Sequence, residues 1–478
     1  MDTITAPRTK ALILAIACAA QFMVVLDVAI VNVALPSVQQ DLDVGQSTLQ
    51  WVVIAYGLLL GGFLLLGGRM ADLLGRRRML LTGLSVFGVA SLVSGIAQSA
   101  GVLITARGFQ GFGAALVVPA ALSIIAVTFA DGPERNRALG LFGAIAGGSA
   151  SVGVIASGLL TDGPGWRWVF FINIPIGVLL IALAAAALPK DRLEHRALRL
   201  DVAGATTVTG GLLALVYALH QGGDHGWTSS TTLLWFGVAV VLLVSFVRIE
   251  ARSAAPLVPA ASVKQRTLLA ANASAFFAFG SLFSFIFLGT LLMQQVLGYS
   301  ATKTGVAWLA TSATSFVASA VAGARLVDRV GVKWLLVIGL SLDAIGMAWL
   351  TRVPADASYL VDLLPAFLLA GVGVGLCAPS AQIGALSGVS ASLSGLASGL
   401  VETMREVGGA AGVAAVSTAL VSQAGLDGFR AAFVVIAVAA AVGAVTAAVA
   451  FPRRPAISAV ERLEPDPDLE LVPATAAD

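Results

Sequence analysis

Residues 11–36, 48–68 and twelve later stretches of similar length are almost uniformly apolar. A helix needs roughly 17–25 residues to cross ~30 Å of hydrocarbon, and in lipid only a helix or a closed barrel satisfies its own backbone hydrogen bonds. The runs therefore predict an all-α integral membrane protein with fourteen transmembrane helices. They lie at about 11–36, 48–68, 79–97, 101–124, 138–160, 166–188, 201–220, 231–249, 268–292, 303–324, 333–351, 361–384, 395–420 and 429–450. Composition points the same way. Of 478 residues, 58% are hydrophobic and 11% charged, where a soluble chain carries about 25% charged residues. A net charge of +2 gives no field that would favour nucleic acid. The first run is too long for a signal-peptide core and has no small-residue cleavage site, so it is expected to be retained.

Charge is sorted by loop. Arg8 and Lys10, Arg76 to Arg78, Arg135 and Arg137, Lys190 to Arg199, Arg248 to Arg266, Arg325 to Lys333 and Arg453 to Arg462 fall on alternate sides of successive runs. By the positive-inside rule both termini face the cytoplasm, which places the chain in the plasma membrane as a multi-pass protein.

One pattern is written twice. Gly67-Gly68-Arg69-Met70-Ala71-Asp72-Leu73-Leu74-Gly75-Arg76-Arg77-Arg78 follows the second run, and Gly323-Ala324-Arg325-Leu326-Val327-Asp328-Arg329-Val330-Gly331-Val332-Lys333 follows the tenth. Asp72 falls on Asp328 and Gly75 on Gly331. Gly111, Gly113 and Pro119 recur as Gly371, Gly373 and Pro379. Runs 1–6 thus map onto runs 9–14, giving two pseudo-symmetric six-helix bundles with two inserted central helices. The expected division is 1–190, an inserted pair at 191–260, 261–452, and an acidic, disordered cytoplasmic tail at 453–478.

Charges inside the runs carry the chemistry. Asp27 lies deep in run 1, where an isolated carboxylate costs about 2.5–3.5 kcal/mol even on the mild insertion scale. It must face a cavity, pair, or hold a proton. The repeat supplies a control: position 27 maps to Leu282 or Phe283, and Arg107 in run 4 maps to Phe367. The architecture tolerates apolar residues at both places. Paired, Asp27 and Arg107 would form a switch that takes up or releases a proton; the bland reading is a buried structural pair. Glu402, Arg405 and Glu406 share one helical face in run 13, either a second proton or cation site or a self-neutralised cluster. Asp343 is a third intramembrane acid. Phe276, Phe279, Phe283 and Phe287 form a stripe that could wall a cavity for flat or cationic ligands, or face lipid. Asn32 and Tyr56 are further polar candidates. In the hinge, Asp72 could cap a helix N-terminus while Arg76, Arg77 and Arg78 reach across a gate. Cys18 and Cys377 are too few for a disulfide framework or a metal site.

Two six-span halves, a Gly-x-x-x-Asp-x-x-Gly-Arg-Arg-Arg hinge and two extra central helices resemble the major facilitator superfamily, and within it the fourteen-span drug:proton antiporter branch. Leu26-Asp27-Val28-Ala29-Ile30-Val31-Asn32-Val33-Ala34-Leu35-Pro36 is similar to that branch's first-span motif. Arg107-Gly108-Phe109-Gln110-Gly111-Phe112-Gly113 is similar to the span-4 motif. Trp166-Arg167-Trp168-Val169-Phe170-Phe171-Ile172-Asn173-Ile174-Pro175 resembles the start of span 6. The resemblance implies proton coupling through Arg107 and gating by the hinge, including Gly68, Asp72, Gly75, Arg76, Arg77 and the second-copy residues Asp328 and Arg329. One motif departs: where the family's span 5 reads Gly-Pro-x-x-Gly-Gly, this chain has Gly153-Val154-Ile155-Ala156-Ser157-Gly158.

No Gly-x-x-x-x-Gly-Lys-[Ser/Thr] sequence occurs, so ATP is not the expected energy source. The expectation is a non-enzymatic, monomeric secondary transporter without cofactor, working on a small molecule and protons within the lipid bilayer. It would export hydrophobic or cationic drug-like compounds by alternating access, driven by the proton gradient. The alternatives are a proton-coupled importer and a non-transporting membrane sensor or scaffold.

Overall fold

The computed structural model describes residues 7–190, 201–253, 256–259, 265–423 and 425–452. The tail at 453–478 and most of the loop before the inserted pair lie outside these residues. Every regular element among the described residues is helical: α1 (Pro7–Leu42), α2 (Gln46–Leu74), α3 (Arg76–Gly95), α4 (Ala100–Thr128), α5 (Pro133–Asp162), α6 (Trp168–Phe171), α7 (Asn173–Ala187), α8 (Val202–His225) and α9 (Ser230–Glu250). They continue with α10 (Arg266–Leu291), α11 (Ala301–Val321), α12 (Val327–Val330), α13 (Val332–Leu350), α14 (Leu364–Leu386), α15 (Ser394–Val421) and α16 (Leu426–Ala450).

Twelve helices among the described residues are long and apolar enough to cross a membrane. They coincide with twelve of the expected runs. The other two runs fall on α5 and α15, of 30 and 28 residues. Glu402, Arg405 and Glu406 dilute the apolar run of α15, while several residues of α5 between 150 and 162 lie outside the described side chains. Among the described residues, length and composition thus support twelve spans.

Helix breaks have local causes. Gly75 (φ 103°) joins α2 to α3, and Gly331 (φ 83°) joins α12 to α13. Both adopt the positive-φ backbone that glycine alone enters without cost, at the same point of the repeat. Run 166–188 splits at Ile172 into α6 and α7. Pro175 has no N–H to return to the carbonyl of Phe171, which loosens the turn in front of it.

Packing follows the repeat. In the first half α1 packs on α4, α5 and α7, and α4 packs on α2 and α3. In the second half α10 packs on α14, α15 and α16, and α14 packs on α11 and α13. The halves meet along two seams, α2 against α15 and α5 against α11. At the second seam Gly140 and Gly323 face each other so closely that a Cβ on either would strike the other's backbone.

The inserted helices lean on the first seam. α8 touches both α2 and α15 through Leu65, Val208, Leu212, Val216, Leu396 and Val407. Trp227 Nε1 donates to Thr418 Oγ1 of α15 at 2.6 Å. α9 lies outermost, with Leu233, Leu234, Val240, Val241 and Val247 all exposed, the surface a lipid-facing helix presents. Trp227→Phe removes one hydrogen bond and should lower unfolding stability in detergent by about 1 kcal/mol.

Candidate functional site

Five helices converge on one buried polar cluster. α1 carries Asp27 into the middle of the first half. Arg107 and Gln110 project from the same face of α4, three residues apart. α3 brings Ser91 and Ser94, one turn apart. Asn173 is the first residue of α7, placed by the break at Ile172. α2 supplies Tyr56. Asp27, Gln110 and Asn173 are 0% exposed and Arg107 is 1% exposed.

The cluster is built around the Asp27 carboxyl group, whose two oxygens face donors from three side chains. Arg107 Nη1 donates to Asp27 Oδ2 in a buried salt bridge. Asp27 Oδ1 accepts from Gln110 Nε2 at 3.1 Å and from Asn173 Nδ2 at 2.8 Å. The guanidinium also donates to the carbonyl of Val52 at 3.2 Å and to Gln110 Oε1 at 3.0 Å. Its Cζ lies 4.3 Å from the centre of the Tyr56 ring. Gln110 is held in turn by Ser91 at 2.8 Å and Ser94 at 3.3 Å. A buried ion pair is tolerable only when its remaining lone pairs and protons find partners. Here nearly all do. The exceptions are Asn173 Oδ1 and the Tyr56 hydroxyl, which have no hydrogen-bond partner.

At the related place in the second half, Phe367 packs against Phe285, Trp308 and Tyr359 with ring centres 4.6–5.9 Å apart. The fold fills this position with aromatics when nothing else is required of it. The charged version belongs to one half.

The other candidates are placed as follows. Glu402 is buried and accepts from Arg405 Nη1 at 2.5 Å and from Gln382 Nε2 at 3.0 Å. Arg405 also lies over the Phe279 ring at 3.9 Å. Glu406 is half-buried at the α2–α15 seam, its Cβ 3.5 Å from where a side chain on Gly61 would begin. Asp343 is buried between α13 and α14 beside Gly373. Phe276, Phe279 and Phe283 pack on α15 near Gly408, Gly409 and Arg405, whereas Phe287 joins the aromatic cluster around Phe285. The stripe thus stands apart from Asp27. The side chain of Asn32 lies outside the described residues.

The hinge crosses the seam. Asp72 accepts from the backbone N–H of Gly395 at 2.9 Å and of Leu396 at 2.8 Å. It caps the first turn of α15 from another helix, where unsatisfied N–H groups and the helix dipole favour an anion. Arg76 donates to the carbonyl of Ala391, to Ser123 Oγ at 2.7 Å and to Ser394 Oγ at 3.4 Å. Across the seam it thus meets a short turn and a serine, and within its own half it pairs with Asp72 at 3.8 Å. Arg77 donates to the carbonyl of Ala185 of α7 at 2.7 Å. A side chain on Gly68 would strike the backbone of Gly395 and Gly399. In the second copy, Asp328 accepts from Asn136 Nδ2 of α5 at 2.7 Å, while Arg329 is exposed.

Two ion pairs mark opposite ends of the first half. Arg167 hydrogen-bonds Asp41 at 2.6 Å and holds its carboxyl below the usual range. Lys10 does the same to Glu134 at 2.8 Å. Both are exposed enough to add little stability.

Sequence reasoning missed Gln110 and Asn173 as functional residues. The signal was present: each is an amide inside an apolar run of the same half as Asp27. Among the described residues no group of His, Cys, Asp and Glu could hold a metal ion.

The chain is 41% identical to the puromycin resistance protein pur8 of Streptomyces alboniger, over 85% of this chain and 80% of that protein. It is 37% identical to the cephamycin export protein CmcT of Amycolatopsis lactamdurans, over 87% and 85%. The human organic anion transporter MFSD10 superposes with a TM-score of 0.66 at 16% identity, covering 93% of this chain and 100% of that one, a likeness of fold. The family model described as Major Facilitator Superfamily matches residues 17–413 and 271–476. The chain, an all-helical multi-pass membrane protein, belongs to the Major Facilitator Superfamily.

Proposed function

We propose that this protein exports drug-like or antibiotic compounds from the cell in exchange for protons, by alternating access between two six-helix halves. The observation that carries the reading is the Asp27–Arg107 pair, fully buried in one half at a place where its twin holds aromatics. A charge pair that the architecture can do without is retained for its chemistry. Relatives named for puromycin resistance and cephamycin export supply the substrate class and the direction.

In this reading α5 and α15 also cross the membrane, as the fifth and thirteenth of fourteen spans. Their length and their polar faces, turned into the two seams, support that. The hinge end is cytoplasmic by loop charge. Contacts between the halves gather there, from Gly68, Asp72 and Arg76 to residues 391–399. The conformation is therefore one closed to the cytoplasm. Protons are exchanged when rocking of the halves opens a path to Asp27. No cofactor is needed beyond the gradient, and one chain in the plasma membrane suffices.

The test is uptake of puromycin and of a cephamycin into proteoliposomes with the full chain inserted and a pH gradient imposed. Accumulation that collapses when a protonophore is added is expected. Flux indifferent to the gradient would remove the coupling, and no flux of either compound would remove the exporter.

A further inference from the structure

Asn173 sits in the site with half of its hydrogen-bonding capacity unused. Its Nδ2 donates to Asp27 Oδ1 at 2.8 Å. Its Oδ1 is buried and has no partner, in a residue that is 0% exposed. A buried acceptor left empty costs about 1–3 kcal/mol, and the residue opens α7 directly after the break at Ile172. An amide carries a donor and an acceptor on the same carbon, and a half-turn about its last bond exchanges them.

We propose that Asn173 is a positioning residue that partners Asp27 in both of its protonation states. This rests on the proton-coupling role given to Asp27 above. With Asp27 ionised, Nδ2 donates to the carboxylate, as observed. When a proton binds an Asp27 oxygen, that oxygen becomes an O–H donor and repels Nδ2. The amide turns over, and Oδ1 accepts the new O–H. No bond other than the carboxyl O–H forms or breaks. Arg107, released from a full charge partner, keeps the Val52 carbonyl, Gln110 Oε1 and the Tyr56 ring. The neutral acid would otherwise be left in a dry site with donors on every side, since Gln110 also presents its Nε2. Asn173 gives the protonated state an acceptor on a residue already bonded to Asp27, one that no other group uses.

The groups that face Asp27 define what can titrate nearby. α4 supplies Arg107 and α2 supplies Tyr56, which interacts electrostatically with both Asp27 and Glu406 of α15. α6 and α7 contain no ionisable side chain, and α5 carries its charges at its two ends. A pH response read at Asp27 therefore has few rival sources.

Infrared difference spectra, acid minus neutral, recorded on the full-length protein in lipid with Asp27→Asn as the blank, report the Asp27 carboxylic C=O directly. In the wild type the band should lie at a hydrogen-bonded frequency. In Asn173→Leu, which matches the shape without the amide, it should move to higher frequency. Asn173→Gln should hold it in place. Puromycin-driven proton release should slow roughly tenfold to a hundredfold in Asn173→Leu, the weight of one hydrogen bond to a charged group, with puromycin affinity unchanged. If the Leu variant fails to reach the membrane, Asn173→Ala gives the same spectral reading. A band unmoved in Asn173→Leu or Asn173→Ala overturns the role of Asn173 alone. Absence of any Asp27 band in the wild type overturns the coupling function itself.

Discussion

Asp27→Asn is expected to abolish proton-driven export of puromycin while the protein still folds and still binds the drug. The substitution keeps the shape and removes the titrating group. Arg107 then loses its counter-charge but retains the Val52 carbonyl, Gln110 Oε1 and the Tyr56 face, so the buried cation is not stranded. The reverse deletion is harsher. Arg107→Leu leaves a carboxylate in a fully buried site with only two amide donors, Gln110 and Asn173. Removing one partner of a buried pair costs about 3–5 kcal/mol. Thermal unfolding of the purified protein in detergent should show a marked loss for Arg107→Leu. Much of that loss should return in the double variant Arg107→Leu/Asp27→Asn, because no unpaired charge remains. Export should be lost in all three. Wild-type export by Asp27→Asn would end the proton-site assignment, and an Arg107→Leu protein as stable as the wild type would show that the pair is not coupled.

How much of this could be read from residues alone depends on which physical signal each feature leaves. Helix length in lipid is set by the bilayer, so twelve runs translate directly into spanning helices. The repeated hinge, with Gly75 and Gly331 in the same backbone conformation, was legible because a positive-φ position admits little besides glycine. Asp27 and Arg107 stood out because charge in an apolar run is costly. Their meeting was one of the alternatives the sequence left open and could not be fixed from it. It depends on how α1 and α4 cross, which is set by close packing of small residues with no sequence period of its own. Gln110 and Asn173 were hidden for a different reason. Neutral amides cost less in lipid than charges do, so they raise no alarm until a carboxylate is found beside them. The Phe stripe shows the limit of periodicity. Regular spacing marks a face of α10, and along it the rings of Phe279 and Phe283 meet Arg405 and Gly409 of α15. Periodicity tells which residues share a face and nothing about what that face meets.

The hinge-end gate should fail when Gly68 acquires a side chain. In this conformation the backbones of α2 and α15 touch there: a Cβ on Gly68 would overlap the Gly395 carbonyl and lie 3.1 Å from the Gly399 Cα. Neither obstacle is a flexible side chain that can swing away. Overpacking of this kind costs about 1–3 kcal/mol, and it is charged only to the conformation in which the seam is closed. A penalty confined to one state shifts a two-state equilibrium by roughly tenfold to a hundredfold. Gly68→Leu should therefore hold the protein open to the cytoplasm. Spin labels at Ala130 and Ser390, exposed positions in the first and second halves, should lose their short-distance population, and export should fall with it. Asp72→Ala offers a graded comparison. It leaves the N–H groups of Gly395 and Leu396 without their cap, a loss of about 0.5–2 kcal/mol, with no steric clash. Its short-distance population should shrink less than in Gly68→Leu. A Gly68→Leu protein that keeps the wild-type distance distribution would mean that α2 and α15 do not close against each other at Gly68 during transport.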